Sequence, residues 1–460
     1  MGLIAPADLM FLLAEATEQP MHVGGLQLFD LPSDAGPDYL KDLYDGMMAE
    51  QEIEPLFTRR ARRGIGTLGQ WTWEQLPTID LEYHVRHSAL PAPGRIRELL
   101  ALASRLHGQR LDRSRPLWEA HLIEGLQGNQ FAIYTKMHHA LIDGVASYRL
   151  MARALTEDPD KRGMGMPWQP SDRPEREKPA GPSPLEMLTG AASSGLGLAK
   201  DAVGLPMAII KSFNSGLRDH AAMLPYQAPK TMLNGSITAA RRFAAQSWPL
   251  DRLKAVRTAY DATLNDVVLA MCSGALRRYL EENNGLPDAP LVAMVPVSLR
   301  PKDNEAQGNS VGAILANLAT HLADPKERIE LIKESARIAK DSLSDLSPNQ
   351  VLAMSAVNSA GVATAPLYKL TDNLRPPFNV TISNVPGPPS SMYWNGARLS
   401  GLYPMSIPTQ GQALNITCTT YAGTIAFGLT GCRTTLPHLQ RLLDHLEASL
   451  SELEMAAGIQ

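Results

Sequence analysis

Lys136–Val145 reads KMHHALIDGV, with two adjacent histidines, then an aspartate and a glycine a few residues on. It lies where one hydrophobic pattern gives way to another. Ahead of it, Phe131, Ile133, Thr135 and Met137 alternate with Ala132, Tyr134, Lys136 and His138, the period of a β-strand. Beyond it, Val145, Leu150, Met151 and Leu155 suit a helix, with Asp143 near its start. The stretch is therefore the turn of a strand–turn–helix unit. Neighbouring strand residues point to opposite faces, so His138 and His139 cannot converge on one small site while the strand stays regular. One is expected to do chemistry and the other to support the backbone. His139, at the strand end, is better placed to face a cleft. Gly144 permits close backbone approach or a φ that other residues resist. The divided histidines argue against a metal centre, and the chain offers no CxxC or HExxH partner.

Outward from this unit, WEAHLIEGL, a turn at Gln127–Gln130 and FAIYTKMHH predict a hairpin. Ile96, Leu99, Leu100, Ala103 and Leu106 recur at helical spacing, which predicts a helix over Gly94–Arg110. Thr156–Pro184 is rich in Pro, Gly and charge and reads as a mobile linker or surface loop; Leu185–Leu217 follows as a loose helical connection. Further on, strands are predicted at RRFAAQSWPL, APLVAMVPVSLR, Phe378–Ile382, Tyr403–Ile407, Leu414–Tyr421 and Thr424–Leu429. Helices are predicted at Leu250–Tyr260, TLNDVVLAMCSGALRRYLEEN, Pro325–Ser344 and Leu436–Met455. Strands alternate with helices, with hairpins, in both halves. The expected fold is α/β with mixed sheets in two layered domains, over 1–155 and 236–460, joined by a connection over 156–235.

The 460 residues carry a formal net charge of -4, so no basic excess points to nucleic acid. Cys272, Cys418 and Cys432 are an odd number without a CxxC pair, which suits a reducing compartment and no disulfide framework. The first twenty residues lack a basic start and carry Asp8, Glu15 and Glu18, a poor signal peptide. Leu346–Tyr368 and Leu399–Cys432 lack charge, but neither is the apolar twenty-mer that a spanning helix requires. The second reads as buried strands and turns. A cytoplasmic protein is expected, able to attach peripherally to the inner membrane or to lipid inclusions.

HHALIDG resembles the HHxxxDG motif of coenzyme A-dependent acyltransferases, a superfamily that includes chloramphenicol acetyltransferase-like enzymes and peptide-synthetase condensation domains. PADLMFLL, MHVGGLQLF, RPLWE, LNDVV, VPVSLR, SNVPGP and YPMS, in that order along the chain, are similar to segments of the bacterial wax ester synthase/diacylglycerol acyltransferase family. The resemblance covers nearly the whole chain. It implies a two-domain chloramphenicol acetyltransferase-like fold, and transfer of an acyl group from acyl-CoA to a long-chain alcohol or a diacylglycerol. Acyl-CoA would be a co-substrate, with no cofactor and no metal. An alcohol is a weak nucleophile near pH 7, so a positioned base must take its proton, and by resemblance His139 is that base.

The resemblance also assigns supporting roles. His138 supports the site by packing or backbone hydrogen bonding. Asp143 fixes the motif loop by an ion pair, with Arg300 one candidate partner. Asn265 is a candidate donor to the oxyanion of the tetrahedral intermediate, or else an N-terminal helix cap. Ser383 is a second candidate donor, or a serine beside a turn. Trp118, with Pro116 and Leu117, shapes the wall near the site, or belongs to the core. Small residues in Leu346–Tyr368 line a lipid tunnel or pack helices. The fit of MHVGGLQLF and RRFAAQSWPL to wax-ester-forming members favours an alcohol as acceptor. The rival readings are an amide-forming condensation domain and a non-catalytic lipid-binding homologue.

Overall fold

The structure is a computed structural model, and it describes residues 2–49, 52–64, 69–142, 144–170, 223–298, 311–344 and 375–459. The first half runs β1 (Gly2–Leu3), α1 (Pro6–Ala14), β2 (His22–Asp30), α2 (Tyr39–Met48), β3 (Arg59–Arg63), β4 (Trp71–Gln75) and α3 (Leu81–His84). It continues with β5 (Val85–Ala89), α4 (Ile96–Gly108), β6 (Trp118–Leu126), β7 (Gln130–His138) and α5 (Gly144–Ala152). The second half runs β8 (Arg241–Pro249), α6 (Leu250–Ala259), α7 (Leu264–Glu282), β9 (Val292–Ser298), β10 (Val311–Asn317) and α8 (Pro325–Ser344). It ends with β11 (Val380–Val385), β12 (Tyr393–Trp394), β13 (Ala397–Met405), β14 (Leu414–Tyr421), β15 (Thr424–Cys432) and α9 (Arg441–Ala456).

Among the described residues, two six-stranded mixed sheets result, in the orders β12-β13-β2-β7-β6-β5 and β10-β9-β11-β14-β15-β8, beside a small β1-β4-β3 sheet. In the first, only β5 and β6 run parallel. In the second, β11 runs parallel to both β9 and β14. The hairpin expected around Gln127–Gln130 is β6–β7, and its turn takes left-handed φ at Gly128 and Asn129.

β7 is covered on both faces. Phe131, Ile133 and Met137 enter one core with Trp118 and Trp168, whereas Ala132 and Tyr134 enter another with Leu99 and Ala103 of α4. This is the alternation read from the sequence. The second sheet packs against α7, whose Val267–Leu276 segment is wholly buried, together with α9.

Sheet membership departs from the expected division of the chain at β12 and β13. They lie within 236–460 yet complete the first sheet, β13 pairing with β2 from Arg398↔Asp30 to Met405↔Gly24. β13 also lies against β15, and Gly428 allows this approach, because a Cβ there would collide with the Pro404 carbonyl. A second departure concerns the described part of the expected mobile linker. Residues 156–170 pack against the first sheet: Thr156 bridges to Tyr393, and Trp168 is 1% exposed and stacks on Trp118 at 5.2 Å. Two aromatic or sulfur-bearing side chains, Met166 and Trp168, bury enough apolar surface to hold a Pro/Gly-rich segment in place.

The first half buries several histidines as neutral rings. His107 Nε2 donates to the Ser406 carbonyl at 3.0 Å, which leaves Nδ1 to accept from the Tyr134 hydroxyl at 3.0 Å. Burial holds His107 down at about 3, and holds His22 well below the ordinary histidine value. The unfolded chain therefore binds protons below about pH 6.5 that the folded chain refuses. Stability is fully present above that pH and falls as pH drops toward the folded values. The buried carboxylates Glu15 and Glu119 are themselves held below their ordinary range, so their loss comes later, under about pH 4.5. The urea midpoint is expected to be flat from pH 8 to 7 and to fall between pH 6.5 and 5. A midpoint that stays level to pH 5 would contradict neutral burial.

Candidate active site

The two histidines at the end of β7 part company as expected. His138 is fully buried, and its Nδ1 accepts the Ala140 N–H at 3.1 Å. Its carbonyl accepts the N–H groups of Leu141 and Ile142 at 2.9 and 3.3 Å. The motif turn is thus wrapped around His138. His139 is half-buried, its N–H donates to the Met21 carbonyl at 2.8 Å, and its ring stacks on Phe11 of α1, centroids 4.0 Å apart at 14°. The stack is face to face, so the ring edge that carries both nitrogens points away from Phe11.

Glu15, which ends α1, lies beside His138. Its Oε1 is 3.6 Å from His138 Nε2 and accepts the Met21 N–H at 3.3 Å. Its Oε2 accepts from Arg113 Nε at 2.8 Å, and Arg113 also donates to the Leu12 carbonyl at 2.6 Å, at the open C-terminal end of α1. Burial pushes the Glu15 carboxyl up, but His138 and Arg113 outweigh it and hold it below the usual range. Lys136, two residues before the histidines, is equally buried. Its ammonium donates to the Leu106 and Gln109 carbonyls at the end of α4 and lies 3.1 Å from Glu119. It pins that helix to the sheet that carries the motif.

The other expected residues divide. Asp143 and Arg300 lie outside the described residues, as does Leu346–Tyr368. Gly144 opens α5 with neither property expected of it. It is absent from the left-handed glycines, and a Cβ there would meet nothing within 4 Å. Trp118 is core. It is 1% exposed, donates to the Phe57 carbonyl at 2.8 Å, and stacks on His84. The alternation of β6 sends it into the core that also holds Phe57 and Trp168. Asn265 is not the helix cap. Thr263 and Asp266 form the capping box of α7, leaving the half-buried Asn265 amide with no hydrogen bond to a described residue. Ser383 sits half-buried on β11, paired in register with Thr417.

The motif helix meets the SNVPGP segment across the seam between the sheets. Tyr148 of α5 packs against Gly387, where a Cβ would strike both its hydroxyl and the Thr420 carbonyl. This joins the histidine unit to the strand that carries Ser383. Phe11, Glu15 and Tyr148 were not found from the sequence. The four-residue spacing of Phe11 and Glu15 in an otherwise apolar segment was the available signal. Among the described residues, no three His, Cys, Asp or Glu side chains converge as a metal site.

Similarity to solved structures follows the same geometry. Over 99% of this chain and 94% of the other, the fold matches the starter condensation domain of rhizomide synthetase RzmA (TM-score 0.56, 12% identity), a likeness of fold alone. The wax ester synthase/diacylglycerol acyltransferase from Marinobacter aquaeolei VT8 matches over 100% of both chains, with TM-score 0.80 and 42% identity. Residues 4–268 match the wax ester synthase/diacylglycerol acyltransferase catalytic domain, and 307–454 the C-terminal domain of the same family. The chain belongs to the wax ester synthase/diacylglycerol acyltransferase family. A protein of Mycobacterium tuberculosis named as a probable diacylglycerol O-acyltransferase, tgs2, is 50% identical over 461 residues, spanning 100% of each chain.

Proposed function

We propose that this chain transfers a fatty acyl group from acyl-CoA to the hydroxyl of a long-chain alcohol or a diacylglycerol, with His139 as general base. The observation that carries this reading is the His139 ring, anchored through its backbone to Met21, stacked on Phe11 and only half-buried, in a chain of this family. The ring takes the hydroxyl proton as the oxygen attacks the thioester carbon. The C–S bond then breaks, and the same proton passes to the departing CoA sulfur, so the base is restored and no acyl-enzyme forms. Asn265 and Ser383 are the proposed donors to the oxyanion. Acyl-CoA is a co-substrate and no other cofactor takes part.

We also place the protein at the surface of a membrane or lipid inclusion. No described helix is long and apolar enough to cross a membrane. Leu3 and Leu13 are more than 60% exposed, and β3 presents Arg59, Arg60, Arg62 and Arg63 beside Glu74. Exposed apolar side chains with arginines suit an anionic lipid surface.

The test supplies palmitoyl-CoA with hexadecanol or with a diacylglycerol, follows thiol release and identifies the lipid product. Release with either acceptor supports the reading and names the acceptor. No release with both sinks it.

A further inference from the structure

We infer that Glu15 is a positioning residue for catalysis: it holds His138 as the tautomer protonated on Nε2 and, through Met21, fixes the backbone of His139. The inference rests on His139 as the base. An imidazole nitrogen can accept a hydrogen bond only when it carries no proton. Nδ1 of His138 accepts from Ala140, so the proton of the neutral ring sits on Nε2. That buried Nε2 has no hydrogen-bond partner among the described residues, and the group it faces is Oε1 of Glu15 at 3.6 Å. A small closure of this gap satisfies a buried donor that is otherwise orphaned.

The same Oε1 accepts from Met21 N–H, and the Met21 carbonyl accepts from His139 N–H. Glu15 therefore reaches both histidines, one through its ring and the other through one intervening residue. Arg113 completes the arrangement. Its guanidinium holds the other oxygen of Glu15, which fixes the orientation of the carboxylate beside His138. A proton on Nδ1 would set two donors against each other at Ala140, and the turn that presents His139 would open. α1 thus serves the site twice, through Phe11 on the His139 ring and Glu15 on the His138 ring.

Two measurements on the full chain test this. The first is the imidazole ¹⁵N spectrum of histidine-labelled wild type, with His138 assigned by its loss in His138→Gln. Nδ1 unprotonated and Nε2 protonated is expected; the reverse tautomer, or a doubly protonated ring at pH 7.5, overturns the inference. This spectrum does not depend on turnover, so it stands apart from the proposed reaction, which fails separately if the wild type releases no thiol. The second compares Glu15→Met with Glu15→Gln in steady-state assays of palmitoyl-CoA with whichever acceptor the wild type uses. An ångström of misplacement can lower a rate by about 10²-fold. Glu15→Met is expected to lose at least about tenfold in kcat, with KM for acyl-CoA held within about twofold. Glu15→Gln, which keeps an acceptor oxygen, is expected to recover most of that loss. A Glu15→Met protein that keeps full kcat while its urea midpoint falls would assign Glu15 to the fold alone. Equal losses in the two variants would remove the acceptor role.

Discussion

His139→Ala is expected to lower kcat by about 10²–10⁴-fold with little change in the urea midpoint. The rate loss follows from the chemistry of an alcohol, which needs its proton removed as it attacks a thioester. The small stability change follows from the position of the ring. It is half-buried, its apolar contact is one face of Phe11, and the backbone bond to Met21 survives the substitution. His138→Ala is the informative contrast. It removes a fully buried ring, strands the Ala140 N–H and leaves Glu15 without its neighbour, so stability falls together with rate. Measuring thiol release and the urea midpoint on both variants separates the base from its support. A His139→Ala protein with full kcat would end the general-base assignment.

The largest expected loss of stability lies at the buried pair of Glu119 and Lys136, the latter two residues before His138. Glu119→Ala leaves the Lys136 ammonium, which has no solvent-exposed side-chain surface, without its carboxylate. Breaking a buried pair from one side typically costs about 3–5 kcal/mol, because the remaining charge must be neutralised or hydrated. Burial already pulls Lys136 below the ordinary lysine range, and Glu119 is what opposes it. The loss also loosens α4, whose final carbonyls Lys136 caps. Pairing Glu119→Ala with Lys136→Met removes the orphaned charge, and the double variant is expected to recover part of the loss in a double-mutant cycle. Additive losses would show that the two side chains do not act as a pair.

These two sites mark how far the sequence could be read. The helix at Pro325–Ser344 and the strand Leu414–Tyr421 were legible to the residue, and the hairpin β6–β7 to within one residue, because a period of 2 or 3.6 is written locally. The parting of the His138 and His139 side chains was legible for the same reason, since strand alternation alone separates them. What was not legible is contact at a distance. Glu15 and Arg113 are 98 residues apart, and no local pattern couples them. Trp118 looked equally fit for a wall or a core until the partner layer with Trp168 was known. The Pro/Gly-rich segment from Thr156 reads as a mobile linker or surface loop because composition does not reveal what Trp168, in its described part, buries against. The placing of β13 beside β2 is the same failure at larger scale.

That crossover sets an order of events during synthesis. The first sheet has four strands, β2, β5, β6 and β7, long before it has six. The ribosome reaches Met405 only after the rest of the second half up to that point, on the order of tens of seconds later at ~5–20 residues per second. Throughout that interval the outer edge of β2 presents unpaired backbone groups, an invitation to pair with another nascent chain. The half that carries both histidines thus emerges first but is sealed late, and any chaperone that shields this protein has most to do between the release of β7 and the arrival of β13.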